Sequence, residues 1–169
     1  MKKPYLIAEI GQAHEGSINM AHNFISEIKK SGANAVKFQC HFAEYESSKF
    51  DTFRVKPQYD CYKSRYDYWK KMEFTPEEWS GLYKHAKSKK LDFICSPFSE
   101  YSVDLLNKSG VDIFKIASGE ILNFNLLRKI NKTKKKLILS TGLTQFSELK
   151  KILSKIDRKK ILSILYCVS

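Results

Sequence analysis

The chain has 169 residues, 43% of them hydrophobic and 28% charged, and a formal net charge of +12 at neutral pH. This length suits one well-cored domain. No apolar run approaches the ~20 residues that cross a bilayer, and no long apolar signal region follows Met1. The composition therefore excludes a membrane span, and we expect a cytoplasmic protein with no membrane partner.

The cysteines and the lysines exclude further classes. The four cysteines show no C-x-x-C spacing, which argues against a disulfide framework and against a structural zinc site. The lysines crowd segments of helical pattern, such as Lys87–Lys90 and Lys129–Lys136. We interpret them as solvated outer faces, because no basic stripe with interleaved aromatics accompanies them. We predict no nucleic-acid partner, although the positive field favours an anionic substrate such as a phosphate ester.

Short apolar runs follow one another along the chain, and each ends in polar or ionisable residues. They are Leu6–Glu9, Ala35–Gln39, Phe93–Ser96, Ile113–Ser118, Leu137–Thr141 and Ile161–Ser169. An amphipathic stretch follows each of the first five, which is typical of βα units around a parallel sheet. The predicted fold class is α/β, of the (β/α)8 TIM-barrel type but incomplete, with about six of the eight units. In such folds the active site lies at the carboxyl ends of the strands.

The predicted helices carry start and stop signals. Thr75-Pro76-Glu77-Glu78 is a capping box with proline at the first helical position. The first helix is predicted to end before Gly32, and the last to begin after a Thr144 cap. Between the second strand and Thr75 lies a long connection rich in aromatics. It is predicted to form a lid or binding loop, or a satellite cluster with an extra helix around Arg65–Lys71, and both can hold at once.

Charged residues inside three of the apolar strands are the first site candidates. Glu9 needs a polar site or a cationic partner, because burying a lone carboxylate costs several kcal/mol. An ion pair with Lys37 or Lys115 is the structural alternative. These two lysines sit in mid-strand on separate strands, which favours convergence on a phosphate or carboxylate. A Schiff-base lysine is the competing interpretation, but it would need only one of them.

Glycines and small hydroxyls after the fourth and fifth strands fit an anion cradle. Ser118-Gly119-Glu120 and Ser140-Thr141-Gly142 supply hydroxyl and N–H donors on backbone that approaches a ligand closely. The same residues also make ordinary strand-to-helix turns. Glu120 is either an acid or base at this cradle or a cap for the next helix.

The histidines form no pair with metal-ligand spacing. His14 follows the first strand, where it either reaches the site or forms hydrogen bonds within a turn. His41 follows the second strand closely enough to be a candidate. His22 and His85 fall on predicted helices, and we expect both to be surface groups.

Five motifs follow one another along the chain: Ala8–Gly16, Gly32–Gln39, Ser96–Phe98, Lys115–Glu120 and Leu139–Gly142. Together they resemble the motifs of the sialic acid synthases, the N-acetylneuraminate synthase family. Arg65–Phe74 resembles one branch of that family, which also includes legionaminic and pseudaminic acid synthases. Alanine replaces the usual asparagine at Ala13, a form that suits the same branch. No single motif suffices, but their order along nearly the whole chain makes the resemblance strong.

The resemblance implies condensation of phosphoenolpyruvate with N-acetylmannosamine or a related amino sugar, giving a nine-carbon 2-keto acid and phosphate. It also implies a divalent metal, Mn²⁺ or Mg²⁺, whose ligands lie outside this chain, and a homodimer for the complete enzyme. Glu9 and Glu120 match carboxylates with acid–base or sugar-orienting roles. The residues that we expect to line the site and bind substrate are Lys37, Gln39, Ser96, Lys115, Ser118, Ser140 and Ser169.

Parts that the resemblance implies are absent from this sequence. They are the last two βα units, which carry the family's metal-binding histidines, and a C-terminal antifreeze-like domain that covers the partner's site in a dimer. We therefore expect residues 1–169 to be the N-terminal portion of a TIM-barrel synthase domain, inactive alone. Two alternatives stay open: a lysine Schiff-base aldolase on a similar barrel, and a non-catalytic remnant or half of a split enzyme.

Overall fold

Strands and helices alternate along the chain, as the apolar runs predict. The computed structural model describes residues 3–53, 62–142 and 144–167. The strands are β1 (Ile7–Gly11), β2 (Ala35–Cys40), β3 (Asp92–Pro97), β4 (Ile113–Ile116), β5 (Lys136–Ser140) and β6 (Ile161–Leu165). The helices are α1 (Ile18–Ser31), α2 (Ala43–Glu46), α3 (Arg65–Met72), α4 (Pro76–Ser88), α5 (Glu100–Ser109), α6 (Phe124–Lys132) and α7 (Phe146–Lys155).

The strands form one parallel sheet in the order β1-β2-β3-β4-β5-β6. A helix lies between each pair of successive strands, as a parallel crossover requires. Strands β1 and β6 are the two edges, and no pairing joins them within the described ranges. The predicted α/β fold, an incomplete barrel of six units, is confirmed.

The two faces of the sheet bury different residues because side chains alternate along a strand. On β2, Val36, Phe38 and Cys40 belong to the main core, which packs against the helices. Ala35, on the opposite face, joins Ile94, Ile113 and Ile138 in a second, smaller cluster. We call this opposite side the inner face. The small inner cluster marks where the interior of a closed barrel would begin.

Helix ends follow the sequence signals in two cases. Ser17 caps α1 by accepting a hydrogen bond from the backbone N–H of Met20, and Gly32 ends that helix with φ +83°. Thr75 and Glu78 form the predicted capping box of α4. Thr75 Oγ1 accepts from the Glu78 backbone N–H at 3.2 Å, and Glu78 Oε2 accepts from the Thr75 backbone N–H at 2.8 Å. No helix in the described ranges has the length and apolar character needed to cross a bilayer.

The start of α7 differs from the prediction. Gln145, and not Thr144, is the N-cap residue, because the Glu148 carboxylate accepts a hydrogen bond from the Gln145 backbone N–H at 2.8 Å. The hydroxyl of Thr144 is buried without a hydrogen-bond partner. The acidic residue at the third helical position thus moves the helix start one residue further along the chain.

The long connection after β2 contains two helices in its described parts. The extra helix expected around Arg65–Lys71 is confirmed as α3, and Ser64 caps it by accepting from the Asp67 backbone N–H at 3.1 Å. The short helix α2 was not predicted. Residues 54–61 lie outside the described ranges, so the predictions of a lid and of a satellite cluster are not tested for that part.

Candidate functional site

Polar residues form a layer on the inner face, towards the carboxyl ends of the strands. Each of these polar residues lies two residues after an apolar residue of the inner face on the same strand. Because side chains alternate along a strand, the polar residue points to the inner face as well. The polar residues are Glu9, Lys37, Ser96, Lys115 and Ser140, on β1 to β5 in turn. The parallel register places Glu9 directly opposite Lys37. We call this set the polar layer.

An ion pair joins the first two strands of the polar layer. The Lys37 ammonium contacts the Glu9 carboxylate, and the exposed fractions of the two side chains are 9% and 48%. A bulge between Glu9 and Gly11 shifts the pairing register at this point, and Gly11 takes φ +55°, which glycine tolerates without strain. The ion pair with Lys37, which was the structural alternative for Glu9, is therefore present, although about half of the Glu9 side chain is exposed to solvent.

Lys115 supplies a second positive charge to the same layer. Its pKa is lowered by burial and, to a smaller extent, by the nearby charge of Lys37. Lys115 forms no ion pair within the described ranges, whereas Lys37 shares its charge with Glu9. Two close ammonium groups with one carboxylate leave an excess positive charge, which suits an anionic ligand.

The serines link the ends of the later strands. Strand β4 ends at Ile116, and Ser118 begins a short 3-10 turn that extends to Glu120. Ser118 Oγ accepts a hydrogen bond from the Gly142 backbone N–H at 3.2 Å, and Ser140 Oγ accepts from Cys167 Sγ at 3.7 Å. A hydroxyl that accepts in this way still has its own proton to donate, so both can bind an anion.

A cleft of about 550 Å³ opens beside the polar layer at the carboxyl edge of the sheet. Its walls include Gln39, His41, Glu46, Arg65, Trp69 and Glu120. Glu120 accepts a hydrogen bond from the side-chain amide of Asn123 at 2.9 Å, and Asn123 caps α6. Glu120 thus faces the cleft and also supports the next helix. Ser169 lies outside the described residues.

His41 has surroundings that the sequence did not reveal. Its ring is stacked between Trp69, at 3.8 Å between centroids, and Phe98, at 4.0 Å. Nδ1 lies 2.6 Å from Glu46 Oε2, and Nε2 lies 3.3 Å from Gln39 Oε1. The position of His41 just after β2 was a signal, but the rings that enclose it come from distant segments.

His14 forms hydrogen bonds within its turn. It is fully buried, its Nδ1 accepts from the Gly16 backbone N–H at 3.1 Å, and its ring packs on Phe74 at 4.6 Å between centroids. Burial, with a smaller contribution from the charge of His41, lowers the pKa of His14 to about 4. This favours the turn interpretation over a role in the cleft, which His14 does not line.

Acid is expected to destabilise the chain through His14. Between the unfolded pKa of 6.5 and the folded pKa of about 4, only the unfolded state gains the proton, so stability falls as pH falls through this range. The loss from pH 7 to pH 5 should be about 2 kcal/mol. In His14→Asn, Oδ1 replaces the Nδ1 acceptor and nothing titrates. Urea unfolding at both pH values should show a smaller loss for this variant, and equal losses would contradict the assignment.

The prediction that His22 and His85 are surface groups is wrong. Both are half-buried between α1 and α4, with their Nδ1 atoms 2.8 Å apart. Burial and then the charge of His22 lower the pKa of His85. Each helix alone shows its histidine on a polar face, and the packing of the two helices brings the rings together.

The described residues do not by themselves fit the divalent metal that the resemblance implies. Within residues 3–53, 62–142 and 144–167, no group of three or more His, Cys, Asp or Glu side chains could hold a metal ion. The metal therefore stays a prediction, and no step of a mechanism through it can be derived from these residues.

Known proteins with similar sequences include sugar-acid synthases. The chain is 36% identical over 176 residues to N,N'-diacetyllegionaminic acid synthase of Campylobacter jejuni, covering 100% of this chain and 52% of that protein. It is 32% identical over 174 residues to pseudaminic acid synthase of Helicobacter pylori, covering 100% of this chain and 51% of that protein. The chain thus spans about half the length of these relatives.

A solved structure and a family match agree with these sequence similarities. The N-acetylneuraminic acid synthetase of Leptospira borgpetersenii, solved in complex with citrate, superposes with a TM-score of 0.82 at 31% identity. The match covers 99% of this chain and 55% of that one. Residues 24–169 match the NeuB family. The expected resemblance is confirmed: the chain belongs to the NeuB family, whose similar members are sialic, legionaminic and pseudaminic acid synthases.

Proposed function

We propose that this chain supplies the phosphoenolpyruvate-binding part of a site that condenses phosphoenolpyruvate with N-acetylmannosamine or a related amino sugar. The observation that carries the proposal is the convergence of Lys37 and Lys115 in the polar layer. Membership of a family of sugar-acid synthases supports the reaction class. The full protein would act as a homodimer.

The charges of the site match such a ligand. Phosphoenolpyruvate carries about three negative charges, and ammonium groups bind phosphate as point charges. Lys37 already pairs with Glu9. A bound anion would also contact the Lys37 ammonium, and the ion pair with Glu9 would become weaker. Lys115, whose pKa is lowered by burial and by Lys37, gains a compensating negative charge. Ser96, Ser118 and Ser140 would donate to the phosphate or carboxylate oxygens.

The chemistry then needs proton transfer and orientation from the two carboxylates. Carbon 3 of phosphoenolpyruvate attacks the open-chain sugar aldehyde, forming the new carbon–carbon bond. Water adds at carbon 2, and the tetrahedral intermediate expels phosphate by carbon–oxygen cleavage. We assign proton exchange with this water to Glu9, in the polar layer, and orientation of the sugar to Glu120, which lines the cleft.

A related protein binds an anion: the Leptospira synthetase, 31% identical to this chain, was solved in complex with citrate, which is a tricarboxylate. Citrate and phosphoenolpyruvate both carry several negative charges, so both need positive charges around them. The excess positive charge of the polar layer in this chain would balance such an anion.

Calorimetric titration of the purified chain with phosphoenolpyruvate tests the proposal. We expect one saturable site, weakened by added salt and competed by inorganic phosphate, because the binding is electrostatic. Pyruvate, which lacks the phosphate, should bind much more weakly. A folded chain that gives no saturable heat at millimolar phosphoenolpyruvate would refute the proposed binding role.

A lysine Schiff-base aldolase is the second candidate, and the lowered pKa of Lys115 favours it. A lysine with a lowered pKa has more free amine at neutral pH and can attack a carbonyl. Incubation with pyruvate and borohydride, followed by peptide mass analysis, distinguishes the two functions. We expect no reduced adduct on Lys115 or Lys37, and a stoichiometric adduct would favour the aldolase.

A further inference from the structure

The short helix α2 does not satisfy all of its own N-terminal backbone donors. Phe42 stands at the N-cap position, and its apolar side chain accepts no hydrogen bond. Glu46, at the other end of α2, accepts from the Phe42 backbone N–H at 2.7 Å. The next donor is the backbone N–H of Ala43, which is fully buried. A buried N–H needs an acceptor, and no residue of α2 supplies one.

Glu73, the residue that follows α3, supplies this acceptor. Its Oε1 accepts from the Ala43 backbone N–H at 2.9 Å, across 30 residues of sequence. Its Oε2 accepts from the Lys70 ammonium at 2.8 Å, so both carboxylate oxygens are used. The side chain of Glu73 is 16% exposed and that of Lys70 is 57% exposed. The hydrogen bond to Ala43 is therefore shielded from water, whereas the ion pair lies largely in it.

The two helices that Glu73 joins both contribute to the cleft. Four of their residues line it: Tyr45, Glu46, Arg65 and Trp69. Helix α2 has four residues and α3 has eight, and isolated helices of such lengths are not stable in water. Contacts with other segments must therefore set the places of both helices. The stack of Trp69 on His41, at 3.8 Å between centroids, is one such contact, and the Glu73 carboxylate is another.

We propose that Glu73 is a positioning residue: it caps α2 from the end of α3 and thereby makes the two helices one wall of the cleft. Glu73 is not among the residues that line the cleft, so it acts through those that do. That this wall faces the amino sugar rests on the proposed function, which puts the sugar in the cleft. The carboxylate at the end of the segment 65–74 thus fixes the part of the cleft that the preceding strand cannot reach.

Hydrogen exchange of backbone amides, followed by NMR in the purified, ligand-free chain, tests the inference. In Glu73→Leu, which keeps the size of the side chain but no acceptor, the Ala43 amide should exchange at least about tenfold faster. In Glu73→Gln, Oε1 still accepts, and the rate should stay within about threefold of the unmutated chain. The signals of Tyr45 and of the Trp69 indole N–H should shift in the leucine variant and return in the glutamine variant. The buried Phe93 amide, which also donates to a carboxylate at 2.9 Å, is the internal reference.

Lys70→Met is the control for the ion pair. It removes the contact with Oε2 and leaves the oxygen that accepts from Ala43, so the Ala43 amide should exchange within about threefold of the unmutated rate. Acceleration equal to that in Glu73→Leu would assign the effect to the ion pair and would overturn the inference.

Three further results would contradict the role of Glu73. One is an unprotected Ala43 amide in the unmutated chain, a measurement that decides the question even if Glu73→Leu fails to fold. Another is an unchanged Ala43 amide in folded Glu73→Leu. The third is exchange in Glu73→Gln as fast as in the leucine variant. No ligand is used, so a failure of phosphoenolpyruvate binding would leave the outcome standing.

Discussion

Replacing Lys115 with methionine is expected to weaken phosphoenolpyruvate binding by roughly 100-fold while the chain remains folded. A hydrogen bond to a charged group contributes about 1.5–3 kcal/mol, and 1.4 kcal/mol is a factor of ten in affinity. Methionine keeps the length and apolar stem of lysine. Because Lys115 forms no ion pair within the described ranges, its removal leaves no buried carboxylate uncompensated. Calorimetry measures the affinity, and circular dichroism the folding.

Lys129→Met is the matched control for Lys115→Met. It removes the same charge, but Lys129 pairs with Asp104 at 2.7 Å on the outer helices α6 and α5. Its effect on affinity should stay within about threefold, since exposed charges at long range are screened. If the two variants weakened binding equally, only the net charge would matter, and the role assigned to Lys115 would be wrong.

Replacing Gly16 with alanine is expected to destabilise the chain by about 3 kcal/mol or more. Gly16 has φ +76°, and a β-carbon there would lie 2.1 Å from the backbone carbonyl oxygen of Lys71. Backbone cannot move aside as a flexible side chain can, so the turn after β1 must separate from the end of α3. Urea unfolding gives the loss of free energy directly.

Gly32→Ala separates strain from this clash. Gly32 has φ +83°, close to that of Gly16, but no atom lies within 4 Å of its added β-carbon. The loss of unfolding free energy in Gly32→Ala should be the conformational cost alone, about 1 kcal/mol. Equal losses at the two glycines would mean that the contact with Lys71 contributes nothing.

The polar layer was predictable because an ionisable residue in an otherwise apolar strand must lie at a polar site or beside an opposite charge. Lys37 and Lys115 both stood out in this way, and the rule that strand ends carry the chemistry placed them at one edge. The turn residues were harder to place. Thr144 is of a preferred N-cap type and Gln145 is not, yet the contact of Glu148 with the Gln145 backbone sets the helix start at Gln145.

The sandwich around His41 and the contact of His22 with His85 were not predictable from the sequence. In each case the partners lie far apart along the chain: Trp69 and Phe98 enclose His41, and 63 residues separate the two helical histidines. Local pattern reports which face of an element is apolar, but not which neighbour covers it.

By itself, the amino-acid sequence determined the order and type of the elements, the polar ends of the strands and the family, because each rests on local periodicity or on motifs in a fixed order. The tertiary structure alone decided that Lys37 pairs with Glu9, that His14 is buried in its turn, and that His41 contacts Gln39. The physical reason is that these features arise from packing between distant segments, where burial and neighbouring charge set protonation and orientation.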